Sequence, residues 1–141
     1  MKTFTVDAAN RTLPLVRRIV EDIVRAHRVW REKILELDLI ASSARSDQPH
    51  EQADRMEREA QAVAREIEAF ERELADLGIQ IKDRRLGLVD FPSDLDGRPI
   101  LLCWRLGEPD VGFWHEANAG YRGRRPLEPS VVGESAPWSP R

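Results

Sequence analysis

Cysteine occurs once in this 141-residue chain, at Cys103. That excludes an internal disulfide and any zinc module built from several cysteines. Aromatic residues make up only 6%. No apolar run reaches membrane-spanning length, because charges interrupt each one. Met1-Lys2-Thr3-Phe4-Thr5 has no apolar h-region, so no secretory signal is expected and a cytoplasmic protein is. Neither charge sign dominates: 22 Lys and Arg stand against 25 Asp and Glu, a net charge of -3. The strongly basic footprint of a general nucleic-acid binder is therefore missing. No dinucleotide glycine fingerprint and no P-loop occurs. Gly133-Glu134-Ser135 lacks the second glycine of a nucleophile elbow. His115-Glu116 begins like a zincin helix, but Ala119 stands where the second histidine belongs. Gly120-Tyr121-Arg122-Gly123 matches the clamp of one RNA-binding module, yet Pro126 follows where that module needs a helix.

What the chain does have is periodicity. Thr5 is a suitable N-cap with Asp7 in the first turn, and Pro14 disfavours helix at Leu13, so a break is expected there. Beyond it, Leu13, Val16, Val20, Ile23, His27, Trp30, Ile34, Leu37 and Ala41 recur in steps of three and four. A second seam runs Ala53, Met56, Ala60, Val63, Ile67, Phe70, Leu74, Leu77, and Gly78 ends it. Ser42-Ser43 and Ser46-Asp47-Gln48-Pro49 separate the two. Helices over 14–41 and 49–77, joined by a short loop, predict an antiparallel hairpin. Ile19, Val24, Leu35, Leu39 and Ile40 widen the first apolar stripe beyond what one partner helix covers. The zone after Gly78 is one candidate to cover them and a second copy of the chain is the other; a homodimer through the helical zone is expected.

After Gly78 the period changes to two. Ile79 to Asp83, Gly87 to Phe91, Ile100 to Leu106 and Val111 to Glu116 read as strands, with Pro92 ending the second and Asp96-Gly97 making a tight hairpin. Under that turn Phe91 opposes Leu102 and Val89 opposes Trp104. A four-residue second turn sets Trp104 opposite Phe113 and Leu102 opposite His115. Cys103 and His115 then fall on opposite faces, and a one-residue slip would exchange them.

The expected fold is α+β: a long antiparallel helical hairpin of coiled-coil character, a small antiparallel β-meander, and an irregular C-terminal tail. It forms one domain over 1–127, divided into hairpin 1–78, meander 79–117 and a Gly/Arg loop 118–127. Residues 128–141 are expected to be a flexible tail.

Phe4-Thr5, Ala9-Asn10, Leu13-Pro14, Gly87-Leu88-Val89-Asp90-Phe91-Pro92, Cys103-Trp104, Gly107-Glu108, Trp114-His115 and the stretch Gly120 to Pro126 carry a resemblance. Together they resemble the prokaryotic family of domain of unknown function 2203 (DUF2203). The resemblance covers nearly the whole chain except the loop near Ser46 and the last dozen residues. It implies a cytosolic prokaryotic protein and supplies no activity, so function must come from residue chemistry.

Three groupings carry chemistry. His27 is the one polar member of the first seam. It reads either as a seam residue bonded to a carboxylate such as Glu66, or as a metal ligand beside His115 and Glu116. Cys103, His115, Glu116 and Asp90 supply thiolate, imidazole and carboxylate within two hairpins, the donor types of a mononuclear metal or of acid–base and nucleophilic catalysis. Trp104 and Trp114 offer aromatic area to a flat ligand such as haem. Arg105, Arg122, Arg124 and Arg125, beside Gly120 and Gly123, suit an anionic small molecule; Glu108 or Glu116 would instead make them a structural ion-pair network. The preferred expectation is a small ligand-binding protein holding a transition metal, a haem-like cofactor or an anionic metabolite near the sheet. A small enzyme and a structural module dimerising through its hairpin are the alternatives. The site is expected where the His115 end of the last strand meets the Gly120–Pro126 loop.

Overall fold

The computed structural model describes residues 2–43 and 51–127. Two helices come first, α1 over Val6–Ser43 and α2 over Glu51–Asp76. Five strands follow: β1 Gln80–Asp83, β2 Leu88–Leu95, β3 Arg98–Arg105, β4 Phe113–Glu116 and β5 Arg125–Pro126. They form one antiparallel sheet in sequential order. The α+β expectation, a helical hairpin followed by a meander, is what the chain forms. The expected tail at 128–141 and the Ser46–Pro49 loop lie outside the described residues.

Thr5 caps α1, its Oγ1 accepting the Ala8 N–H at 3.1 Å. The helix then runs straight through Pro14, where a break was expected. A proline inside a helix costs about 3 kcal/mol through its missing donor and its ring. The offset is burial: Ala9, Leu13, Val16 and Val20 form one stripe on the core, all 3% exposed or less. Breaking the helix would split that stripe.

The core is one layer of helix on one face of the sheet. Val16, Val20 and Ile23 from α1 and Ile67 and Leu74 from α2 pack on Val89, Phe91, Leu102, Trp104 and Trp114. The buried side chains of α1 end at Ile23, although the helix continues for twenty more residues. Beyond the sheet the two helices are tied to each other, for example by Lys33 Nζ to Glu59 Oε2 at 3.0 Å. Leu35 and Leu39 there are 62% and 70% exposed.

The Asp96-Gly97 hairpin forms as expected, with φ of 52° and 84°, and it pairs Phe91 with Leu102 and Val89 with Trp104. β2 does not stop at Pro92 but continues to Leu95. The Pro92 carbonyl accepts the Phe4 N–H at 2.7 Å. A strand residue points its N and C=O to the same side. The missing Pro92 donor therefore faces the N-terminal segment and takes nothing from the β2–β3 ladder.

One register differs from expectation. Leu101 pairs with His115, Leu102 with Trp114 and Cys103 with Phe113, a one-residue slip from the sequence pairing. The slip puts Trp114, 1% exposed, into the core in place of His115. Burying an indole against the helices removes far more apolar surface from water than burying an imidazole. His115 moves to the other face, beside Cys103. The end of the expected Gly/Arg loop also gains order, as β5 pairs Phe113 with Pro126 and Trp114 with Arg125.

Candidate metal centre

The face of the sheet away from the helices carries Asp90 on β2, Cys103 on β3 and His115 on β4. Asp90 and Cys103 are direct cross-strand partners, and His115 pairs with Leu101, two residues along β3 from Cys103. Non-core faces of small meanders normally meet water. Here Asp90, Cys103 and His115 are 2%, 0% and 3% exposed. Their ligand atoms all lie within 4.8 Å of one another.

The chain after β4 helps to cover this face. Tyr121 receives a hydrogen bond from Arg105 Nη1 at 3.4 Å. Arg124 donates to Glu108, and its guanidinium lies 3.6 Å from the centroid of the Phe113 ring and 4.8 Å from that of Tyr121. Glu108 is itself fixed. Its carboxylate accepts the Arg105 N–H at 2.7 Å, and its carbonyl accepts Trp104 Nε1–H at 3.0 Å. Arg124 Nη1 is buried with no hydrogen-bond partner.

His115 is held at both ring nitrogens. Nδ1 lies 2.7 Å from the Glu116 carbonyl oxygen, and Nε2 lies 3.1 Å from Asp90 Oδ1. A carbonyl can only accept, so Nδ1 carries a proton and donates it. Nε2 is then aimed at the carboxyl group, and that second bond holds one further proton between the two groups. Asp90 is raised above the ordinary carboxyl range by burial, with the His115 charge and hydrogen bond and the Lys82 charge opposing. Burial pushes the Cys103 thiol up to about 12; Asp90 and Glu108 add to this and Arg124 opposes it. A thiol held there stays protonated at neutral pH and is a poor nucleophile.

The other residues singled out from the sequence are elsewhere. Glu116 turns its carboxylate to Arg98 at 3.2 Å and meets His115 only through its backbone carbonyl. His27 stacks on Trp30 at 5.8 Å between centroids and lines a cleft with Glu71 and Ile79. The structure does not bring it to His115. Trp104 and Trp114 are 0% and 1% exposed and packed in the core, so neither offers a face to a flat cofactor. Arg124 is engaged by Glu108, Arg125 lies 5.2 Å from the Trp114 ring centroid, and Arg122 is exposed. Sequence reading named Asp90, Cys103 and His115 but separated the last two by face; the register of one turn decided it.

The chain is thus a helical hairpin backed on a small meander, with a buried Asp/Cys/His group on the outer face. The chain belongs to the family described as Uncharacterized conserved protein (DUF2203), whose family model matches residues 2–127. Comparison with curated proteins and with solved structures finds no match. No helix among the described residues is long and apolar enough to cross a membrane.

Proposed function

We propose that this protein binds one transition-metal ion, of the zinc class, through Asp90, Cys103 and His115. The observation that carries the reading is the convergence of one carboxylate, one thiol and one imidazole, all buried, within 4.8 Å. The mixed O, S and N set suits zinc and its borderline neighbours rather than magnesium or calcium. His115 supports it further. Metal-ligating histidines usually donate their second ring N–H to a carbonyl or carboxylate, as Nδ1 does to Glu116, which leaves Nε2 to coordinate. Ligands about 2.0–2.3 Å from a tetrahedral zinc stand about 3.5 Å apart, so His115 Nε2 and Asp90 Oδ1, at 3.1 Å, would part slightly, and any separation near the 4.8 Å limit would close. Binding would displace the Cys103 thiol proton and the proton in the His115–Asp90 bond. Three protein donors leave one position for water or an anion, and Arg124, with its unpartnered Nη1, is the cation on this face suited to accompany it.

The buried, protonated thiol disfavours the enzyme reading in which Cys103 attacks a substrate. Elemental mass spectrometry of chain purified without chelator tests metal binding. About one zinc per chain is expected, falling to background in both Cys103→Ser and His115→Ala. Equal metal content in wild type and both variants would overturn it.

A second reading, self-association through the hairpin, is favoured by the exposed Leu35 and Leu39 on the part of α1 that extends past the sheet. The occupant with matching heptad spacing is the same hairpin of a second copy.

A further inference from the structure

The metal reading leaves unused a group of cations where the β1–β2 turn meets α1. That turn, residues 83–87, is locked. Asp83 Oδ1 accepts the N–H groups of Arg85 and Leu86, both at 2.9 Å, and Gly87 N–H donates to the Asp83 carbonyl at 3.0 Å. Gly87 has φ +70°, and a Cβ there would come 2.8 Å from Leu106 Cβ and 2.9 Å from Val20 Cγ1. The turn is thus pressed on the helix and presents Arg84 and Arg85 from a fixed base. Arg84 is held by Glu71 through two bonds of 2.6 and 2.8 Å. Arg85 has no ion-pair partner among the described residues. Neither do Arg28 and Arg31, which lie about one turn apart on α1.

Arg85 and His27 line two adjoining clefts. One, of 620 Å³, runs along β1 and includes Arg84, Ile79 and Ile81. The other, of 370 Å³, is walled by Val24, Arg28, Arg31 and Leu35. Both volumes are in the range of small-molecule sites. The carboxylates nearby are largely committed, Glu71 to Arg84 and Asp83 to its turn, which leaves Glu32. Burial holds His27 below its ordinary value, with Arg31 and Arg84 adding to this and Asp83 and Glu71 opposing it. Gathering like charges on rigid elements is unfavourable in the free protein, and nothing in the core requires it.

We propose that the adjoining clefts bind a small phosphorylated molecule, its phosphate oxygens on Arg85, Arg31 and Arg28 and its apolar part against the half-buried Val24 and Ile81. Each guanidinium brings five N–H donors in a planar fork. Three of them ask for more acceptor oxygens and more negative charge than a single carboxylate supplies, and phosphate groups supply both. The clefts are concave and short, which suits a small ligand over a nucleic-acid strand. This site is separate from the metal centre, and either reading can fail without the other.

The test is calorimetric titration of the full chain with inorganic pyrophosphate at about 0.15 M salt, where long-range surface attraction is screened. Saturable one-to-one binding is expected, weakened by about tenfold or more in Arg85→Gln and in Arg31→Gln, and unchanged in Arg11→Gln at the far end of α1. All three side chains are exposed, so the fold should survive, and amide spectra superimposing outside the cleft would confirm it. Absence of saturation would overturn the proposal. So would equal weakening by Arg11→Gln, or a single-stranded oligonucleotide binding more tightly than pyrophosphate with no dependence on Arg85; either would mark a diffuse polyanion surface.

Discussion

His115 Nε2 sits 3.1 Å from Asp90 Oδ1 with both side chains 3% exposed, while Nδ1 of the same ring is committed to the Glu116 carbonyl. The geometry leaves a single proton to be shared across the Asp90–His115 contact. Removing the imidazole strands a buried carboxyl group and opens a cavity. His115→Ala should cost about 3 kcal/mol in urea unfolding of the metal-free chain. A loss within about 0.5 kcal/mol, the scale of ordinary surface changes, would mean the pair is not buried as described.

Asp90 gives this contact a pH dependence of definite sign. Burial raises its folded pKa, so the folded chain holds the proton more tightly than the unfolded chain. The associated stability is full below the ordinary Asp value of about 3.9 and is lost as pH rises through the raised folded value. Asp90→Asn cannot titrate, yet its amide can donate to Nε2. Unfolding free energies of metal-free wild type should therefore fall relative to Asp90→Asn as pH increases from about 4 toward neutrality. Parallel curves for the two chains would count against a raised Asp90.

Gly87 should tolerate no side chain. Alanine would meet Leu106 and Val20 at under 3 Å while holding φ near +70°. Gly87→Ala is expected to destabilise by about 2–3 kcal/mol in thermal or urea unfolding. Unchanged stability would show that the turn is free to lift from α1.

Ile23 and Leu39 separate the two halves of α1. Ile23 is fully buried, and Ile23→Ala should cost about 2–5 kcal/mol. Leu39 is 70% exposed in the described chain. If hairpins self-associate, Leu39→Glu should convert a dimer mass in light scattering at micromolar concentration into a monomer mass, with the helical circular dichroism retained. A monomer mass for the unaltered chain at that concentration would remove the self-association reading.

The helices and most of the sheet were legible because their signals are local and repeated. Heptad steps over Val16 to Leu37 and over Met56 to Leu77 have one structural solution, and Asp96-Gly97 specifies its own turn. Pro14 and Pro92 show that a proline's effect depends on what surrounds it. One lies under a continuous buried stripe, and the other points its missing donor away from the β2–β3 ladder. The candidate site was legible as residue types but not as geometry. Its assembly turns on the length of the connection between Arg105 and Phe113, which no local pattern fixes. What decided the register was competition between Trp114 and His115 for the core, a tertiary effect. The cations around His27 were invisible as a group, because Arg28 and Arg85 meet only when the β1–β2 turn docks on α1.

The proposed metal centre is tested most directly by titrating metal-free, reduced protein with cobalt(II) under anaerobic conditions and recording its absorption spectrum. Thiolate-to-cobalt charge transfer, with visible bands of a four-coordinate ion, should grow to saturation at one equivalent. The charge-transfer band should be absent in Cys103→Ser, and the bands should be lost or shifted in His115→Ala and Asp90→Asn. Cobalt that stays six-coordinate and pink throughout, with no thiolate band in the wild-type chain, would contradict coordination by Cys103 and with it the proposed centre.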